Sequence, residues 1–294
     1  MSTLENTFQP PKASQSQDKP GLEQSMAPPS EVTKLDGSNG PVEYVGANKL
    51  KNKKVLITGG DSGIGRSVAV LMAREGADIT IVYLPQEQID AENTKKMVES
   101  EKRKCHLISG DLRQYDFCQQ AVQEHLEKHG ALNVLVNNAS TQYSCSNFAE
   151  IDLDKVEDTF RSNILQMMAI TKYALPHMSK GDSIINNTSV TTFRGTSGMV
   201  DYAATKGAIV GFTRSLAKQL MSKGIRVNAV APGVVYTPIQ ADTRDAESMK
   251  DLGAGKMLGR PGTASETATS FVFLATPDSS FYYGQVLHCY PLGD

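Results

Sequence analysis

The stretch KVLITGGDSGIGRSVAVLMAREG, residues 54–76, decides how the chain is read. Its opening KVLIT is an unbroken apolar run of strand length, the pattern of a strand buried on both faces. It runs without a linker into a glycine-rich turn and then a helical stretch near 64–75. Gly59, Gly63 and Gly65 stand at the junction, with Ser62 and Ile64 between them. Glycines there let the backbone turn tightly and approach a pyrophosphate, whose charge is met by free N–H groups and the positive end of the helix. The spacing is GxxxGxG rather than the more common GxGxxG, and a strand-to-helix turn without a ligand remains the alternative at this point.

Outward from this unit the same alternation continues. Further strands are predicted near 78–83, 104–109, 132–137, 182–188, 225–230 and 285–289, and helices near 89–102, 115–129, 152–178, 201–222 and 264–275. Strands alternating with helices predict an α/β fold, a doubly wound parallel sheet of about seven strands with helices on both faces. No linker divides residues 51–294, so a single domain is expected there. Residues 1–50 are rich in Pro, Ser, Gln and Lys and lack either period, so they are expected to be an extended, largely irregular tail unable to order itself. Phe8, Met26, Val42 and Tyr44 are its candidate anchors to the domain or to a neighbouring subunit.

Ligands of open α/β sheets bind at the carboxyl ends of the strands. The second strand ends Val82, Tyr83, Leu84 without a carboxylate to read a ribose 2′-hydroxyl, which leaves NADP(H) unopposed, and Arg66 is a candidate cation for its extra phosphate. The third strand ends in SGDLR, placing Asp111 and Leu112 beside an adenine site. The fourth ends in VNNAS, where Asn137 and Asn138 are either ligand residues or turn formers.

Composition narrows the classes. A formal charge of −2 gives no electrostatic reason for a nucleic-acid partner. Four scattered cysteines argue against a disulfide scaffold and for a reducing, cytoplasmic setting. No HExxH or Cys/His cluster suggests a metal, and neither a spanning segment nor a signal peptide is expected.

TGGDSGIG, Asp111, NNA, Ser189, YAATK and PGVVYTP together resemble, in order and spacing, the classical short-chain dehydrogenase/reductase family over about residues 50–290. The polar tail resembles that of an NADP-preferring subgroup carrying an N-terminal extension. The resemblance implies a single Rossmann-type NAD(P)-binding catalytic domain over 51–294, a tetrad of Asn163, Ser189, Tyr202 and Lys206, and a homotetramer or homodimer. It also implies that Asn138 and Ala139 line the adenosine side of the cofactor, and that Pro232, Gly233, Val235 and Thr237 hold the nicotinamide end. Two departures bear on pocket shape: Ser140 stands where the family often has glycine, and IINNTSV replaces a more apolar run.

The chemistry explains why such residues recur. Hydride transfer to a carbonyl leaves charge on oxygen that must be protonated as it forms. A tyrosine of ordinary pKa near 10 is poorly matched to that task at neutral pH. A lysine at i+4 on the same helical face favours the phenolate, so Lys206 is expected to lower the pKa of Tyr202 and to bind the nicotinamide ribose. Ser189 is expected to hold the substrate oxygen. Asn163 is expected either to hold a relay water or to stitch backbone. Tyr143, Phe193, Met199, Tyr236 and Met257 are candidate pocket walls, and residues 236–260 a candidate lid.

The expected function is an NADP(H)-dependent interconversion of a ketone or aldehyde with its alcohol. An NAD-linked alcohol dehydrogenase, using NAD(H), and a non-catalytic dinucleotide sensor or scaffold are the rival readings.

Overall fold

The structure, a computed structural model, describes residues 7–9 and 11–292. The tail contains a 3-10 turn at Glu23–Ser25 and a hairpin of β1 (Lys34–Gly37) and β2 (Gly40–Glu43). The alternation then runs β3 (Lys54–Thr58), α1 (Gly63–Arg74), β4 (Asp78–Tyr83), α2 (Gln88–Ser100), β5 (Cys105–Ser109), α3 (Tyr115–His129) and β6 (Val134–Asn137). Helices α4 (Leu153–Phe160) and α5 (Gln166–Ala174) lead to β7 (Ser183–Asn187). A single turn, α6 (Thr191–Arg194), and the long α7 (Val200–Leu220) precede β8 (Arg226–Pro232). The chain closes with α8 (Pro238–Ala241), α9 (Ala246–Lys250), α10 (Ala264–Ala275) and β9 (Val286–Cys289).

Strands β3 to β9 form one parallel sheet in the order β5-β4-β3-β6-β7-β8-β9. Its middle strand explains the unbroken apolar run of the sequence. Val55 and Ile57 face a core shared with α1 and α10, whereas Leu56 faces a second core shared with α3, α5 and α7. All three are fully buried, so neither face of β3 tolerates a polar residue. Strand order reverses between β3 and β6, which opens a crevice at their carboxyl ends.

Two expectations change. The helix read over 152–178 is broken by a π-helical turn at Arg161–Leu165, which periodicity does not register because apolar residues continue through it. The tail is ordered against the domain although it has no periodic face. Its order comes from point attachments: Ser67 Oγ donates to Val32 O at 2.6 Å, Ser265 Oγ donates to Lys34 O at 2.6 Å, and Glu75 accepts from Ala47 N and Lys49 N, both at 2.9 Å. Met26 is buried and Tyr44 packs against the main core, Phe8 lies against the Arg260 guanidinium, and Val42 is exposed.

Candidate active site

The glycine turn packs as its sequence requires. Gly59 and Gly63 take left-handed φ values of 62° and 48°, and a Cβ on Gly65 would lie 1.9 Å from the Gly59 carbonyl oxygen. Asn138 fixes the turn from across the strand break: its Nδ2 donates to Gly59 O at 2.8 Å, while Thr58 Oγ1 accepts from the backbone N–H groups of Asn138 and Ala139, both at 3.0 Å. Neither asparagine of the NNA motif is a mere turn former. Asn137 Nδ2 reaches Asn186 Oδ1 at 2.9 Å, and Asn138 Oδ1 accepts from Asn187 Nδ2 at 2.9 Å. The polar IINN run is therefore the partner of NNA.

A cleft of about 410 Å³ runs from this turn across the strand ends. Gly59, Ser62, Gly63 and Ile64 line one stretch of it, and Tyr83, Asp111 and Leu112 another. Asn138 and Ala139 form part of the floor, and Pro232, Gly233, Val235 and Thr237 line it beyond β8. Ser189, Tyr202 and Lys206 open into the same cleft. Of the tetrad and the residues that the glycine turn and the resemblance assign to the cofactor, Gly65 and Asn163 do not line it. Gly65 lies beneath the turn, where its role is close packing.

Lys206 is buried, and its Nζ donates to Asn187 O at 3.0 Å and lies 5.3 Å from the centre of the Tyr202 ring. Thr191 N donates to Ser189 Oγ at 3.2 Å, which turns that hydroxyl. Burial acts on the pair in opposite senses. It pushes the Tyr202 phenol up to about 12, against a hydrogen bond from Ser189, and it pulls the Lys206 ammonium down to about 7. Burial sets the direction at Tyr202, opposite to the lowering expected from Lys206, with the Ser189 hydrogen bond acting the other way. The resulting tyrosine is a neutral donor beside a lysine poised to exchange a proton near neutrality.

Asn163 sits in the π-helical turn, fully buried. Its Oδ1 accepts from Thr141 N at 2.8 Å and Ser140 Oγ at 3.1 Å, and its Nδ2 donates to Thr141 O at 2.9 Å and Thr205 Oγ1 at 3.1 Å. The side chain has no capacity left for a water, so it stitches the 140–141 loop to α7. Ser140, the departure from the family pattern, is one of the groups it holds.

Charges at the turn were misread from sequence. Arg66 does not face the cleft; it is buried, donating through Nε to Asp61 O at 2.8 Å and Thr94 Oγ1 at 2.9 Å, with Asp90 at 3.5 Å from its Nη2. The end of β4 does carry a carboxylate. A 3-10 turn at Pro85–Glu87 folds Glu87 back so that it accepts from Leu84 N at 2.9 Å and lines the cleft beside Asp61. Burial, with Asp61 and Asp90 nearby, raises Glu87 to about 8, and burial raises Asp61 to about 6. Pro at the first position of the turn and Glu at its third were the signal that could have revealed it.

Of the suggested pocket walls only Tyr143 lines the cleft. Phe193 stacks on His288 with ring centres 4.4 Å apart, Met257 is exposed, and Met199 precedes α7 away from the opening. Tyr236 is buried with Met26, Ala241, Met249 and Leu252, pinning residues 236–252 from outside.

The cleft suits a nicotinamide dinucleotide. A Cβ at Gly59 or Gly63 would press on Ala139 or Thr237 at 3.0 Å, so the turn keeps a bare backbone, and two buried acceptors on the wall, Asp61 Oδ2 and Asn187 Oδ1, have no hydrogen-bond partner among the described residues. Ribose hydroxyls and a carboxamide are donors of the kind such oxygens require. Among the described residues no group of three or more His, Cys, Asp or Glu could hold a metal, and no helix is long and apolar enough to cross a membrane.

Known proteins agree with this geometry. Residues 59–289 match the family described as enoyl-(acyl carrier protein) reductase. The uncharacterized oxidoreductase YhdF of Bacillus subtilis (strain 168) is 47% identical over 275 residues, 93% of this chain and 92% of its own. Glucose and ribitol dehydrogenase of Daucus carota is 43% identical over 284 residues, 95% of this chain and 94% of its own. A short-chain dehydrogenase from Burkholderia cenocepacia J2315, solved in complex with NADP, superposes with a TM-score of 0.76 at 28% identity over 82% of this chain and 97% of its own. Likeness of this extent makes the chain a member of the classical short-chain dehydrogenase/reductase family, and an NAD(P)-dependent oxidoreductase.

Proposed function

We propose that the chain interconverts a ketone or aldehyde with the corresponding alcohol, using NADP(H) in preference to NAD(H). The observation that carries this reading is that Tyr202, Ser189 and Lys206 open into the cleft that begins at the phosphate turn. A nicotinamide bound there supplies or accepts the hydride. Tyr202, neutral at physiological pH, donates its phenolic proton to the oxygen of a carbonyl substrate. Ser189, oriented by Thr191 N, donates a hydrogen bond to the same oxygen and holds its developing charge. Lys206, held by Asn187 O, returns a proton to Tyr202, and Asn163 keeps the 140–141 loop in place for the substrate. In the alcohol-oxidising direction the same groups take the proton away.

The preference for NADP(H) is supported by the NADP named with the Burkholderia structure and by the burial of Glu87 beside Asp61, which raises its carboxyl above the usual range and favours the uncharged form that does not repel a 2′-phosphate. NAD(H) is the second reading, favoured by the position of Asp61 and Glu87 on the cleft wall. The substrate class we favour is a small hydroxylated carbonyl. Its support is the polar Ser140–Thr141–Gln142 loop on the cleft and the carrot relative's name. A homodimer or homotetramer is part of the proposal, resting on the exposed small residues Ala204 and Gly211 of α7, as is a cytoplasmic setting, resting on four unpaired cysteines. A panel of aldoses, polyols and simple aldehydes followed at the nicotinamide absorbance band tests the activity. Turnover of none of them with either cofactor would leave the sensor reading in its place.

A further inference from the structure

The tail does more than lie on the domain: at the cleft the phosphate turn packs on the Thr237 side chain, and the tail backbone packs on the Pro238 backbone from the other side. A Cβ on Gly63 of the phosphate turn would touch Thr237 at 3.0 Å, and a Cβ on Gly21 of the tail would come within 2.5 Å of the Pro238 carbonyl oxygen. Thr237 and Pro238, the base of the segment leading into α8, are thus sandwiched between the turn and the tail. Polar bonds lock the stack. Asp242 Oδ2 accepts from Gly21 N at 2.9 Å, its Oδ1 accepts from Lys19 Nζ at 2.7 Å, and Gln17 N donates to Ala241 O at 2.9 Å. Two residues beyond Gly21, the buried Glu23 returns to the turn: its Oε2 accepts from Gly63 N at 3.0 Å and its Oε1 from Ser30 N at 2.8 Å. Lys19, Pro20 and Gly21 themselves line the cleft.

We propose that residues 15–26 are a clasp that fixes the 236–252 segment to the phosphate turn, with Asp242 and Glu23 as positioning residues that set how long a bound dinucleotide stays. The inference rests on the reading of the cleft as an NAD(P) site. Thr237 and Pro238 cannot move away from Gly63 without carrying Gly21, and Gly21 cannot move without breaking the bonds of Asp242 and straining those of Glu23. Opening the cleft therefore requires the tail to detach.

The test uses the full chain loaded with NADPH and mixed rapidly with excess NADP+, following loss of nicotinamide fluorescence well below the unfolding midpoint. Asp242→Asn removes the charge that binds Lys19 and Gly21, and Gly21→Ala forces the tail off Pro238. Both are expected to release NADPH at least about tenfold faster, the lower end of what one hydrogen bond to a charged group contributes. Hydrogen exchange at Gln17, Gly21 and Glu23 is expected to slow when NADPH binds. Should Gly21→Ala fail to fold, Asp242→Asn carries the test, because it leaves the backbone approach intact. A merely structural role would lower the unfolding midpoint without changing the release rate. Release within twofold of the unmodified rate overturns the clasp alone. Failure of the unmodified chain to bind either dinucleotide overturns the reading of the cleft, and the clasp with it.

Discussion

Gly65→Ala adds one methyl group at the point where the phosphate turn passes closest to itself. The new Cβ would start 1.9 Å from Gly59 O and 2.6 Å from Asn138 Nδ2. Bringing the first contact to the 3.0 Å below which real Cβ atoms do not go requires a shift of about 1.1 Å, the difference between the two distances. Gly59 cannot yield freely, since its N–H is bonded to Val82 O at 2.7 Å and its carbonyl to Asn138 at 2.8 Å. Overpacking of this kind costs about 1–3 kcal/mol, which lowers the unfolding midpoint by roughly 2–10 °C in a chain of this size. The backbone N–H groups that would face a pyrophosphate move by a similar distance, so NADPH affinity should fall by at least about tenfold, the lower end of what one hydrogen bond to a charged group contributes. Gly211→Ala supplies the comparison, because a Cβ there meets nothing within 4 Å and should leave NADPH affinity unchanged. Thermal unfolding and titration of nicotinamide fluorescence measure both variants. NADPH binding by Gly65→Ala within threefold of the unmodified chain would refute the argument that this contact builds the phosphate site.

Other expectations concern charge. His125 is buried with Nδ1 2.8 Å from Thr80 Oγ1 and Nε2 3.0 Å from Ala131 O, and burial pulls it down to about 3 from its ordinary 6.5. The unfolded chain binds that proton first, so its contribution to stability is complete above pH 6.5 and is lost towards pH 3, at up to about 1.4 kcal/mol per pH unit. Chemical denaturation between pH 7 and 5 should show the slope, and its absence in His125→Gln should identify the source. Ionisation of Glu87 near pH 8 should weaken NADPH binding from pH 7 to 9 and spare NADH, and Glu87→Gln should flatten that dependence; an unchanged pH profile in the variant would remove Glu87 from cofactor choice. Arg66→Ala leaves buried Asp90 without its cation and should cost about 3–5 kcal/mol. The ratio of NADPH to NADH affinity should not move, whereas a 2′-phosphate ligand in that position would shift it at least tenfold.

Elements whose chemistry is local were legible in the sequence. The apolar run 54–58, the glycines after it and the Tyr202/Lys206 spacing each follow from one stretch of chain, and they appear where expected. What was hidden depends on contacts between distant segments. Glu87 lies outside the strand end read at Val82–Leu84, and only the Pro-x-Glu spacing of PQEQ hints at the 3-10 turn that carries it back there. Arg66 looked available because its partners Thr94 and Asp90 lie a helix away. The tail looked disordered because its attachments are single polar bonds to Asp242, Gly63, Ser67 and Ser265, which leave no period to detect. The pKa of Tyr202 was misjudged for a related reason: spacing reports the nearby lysine, whereas burial, which decides the sign, is a property of the folded cleft.

The central claim is that Tyr202 is the acid of a carbonyl reductase, and Tyr202→Phe removes only its hydroxyl. With NADPH and the best carbonyl from the panel, the variant should bind NADPH within about twofold of the unmodified chain and lose turnover by at least about 100-fold, the lower end of what a positioned general acid contributes. Turnover at the unmodified rate with cofactor binding intact would contradict the account.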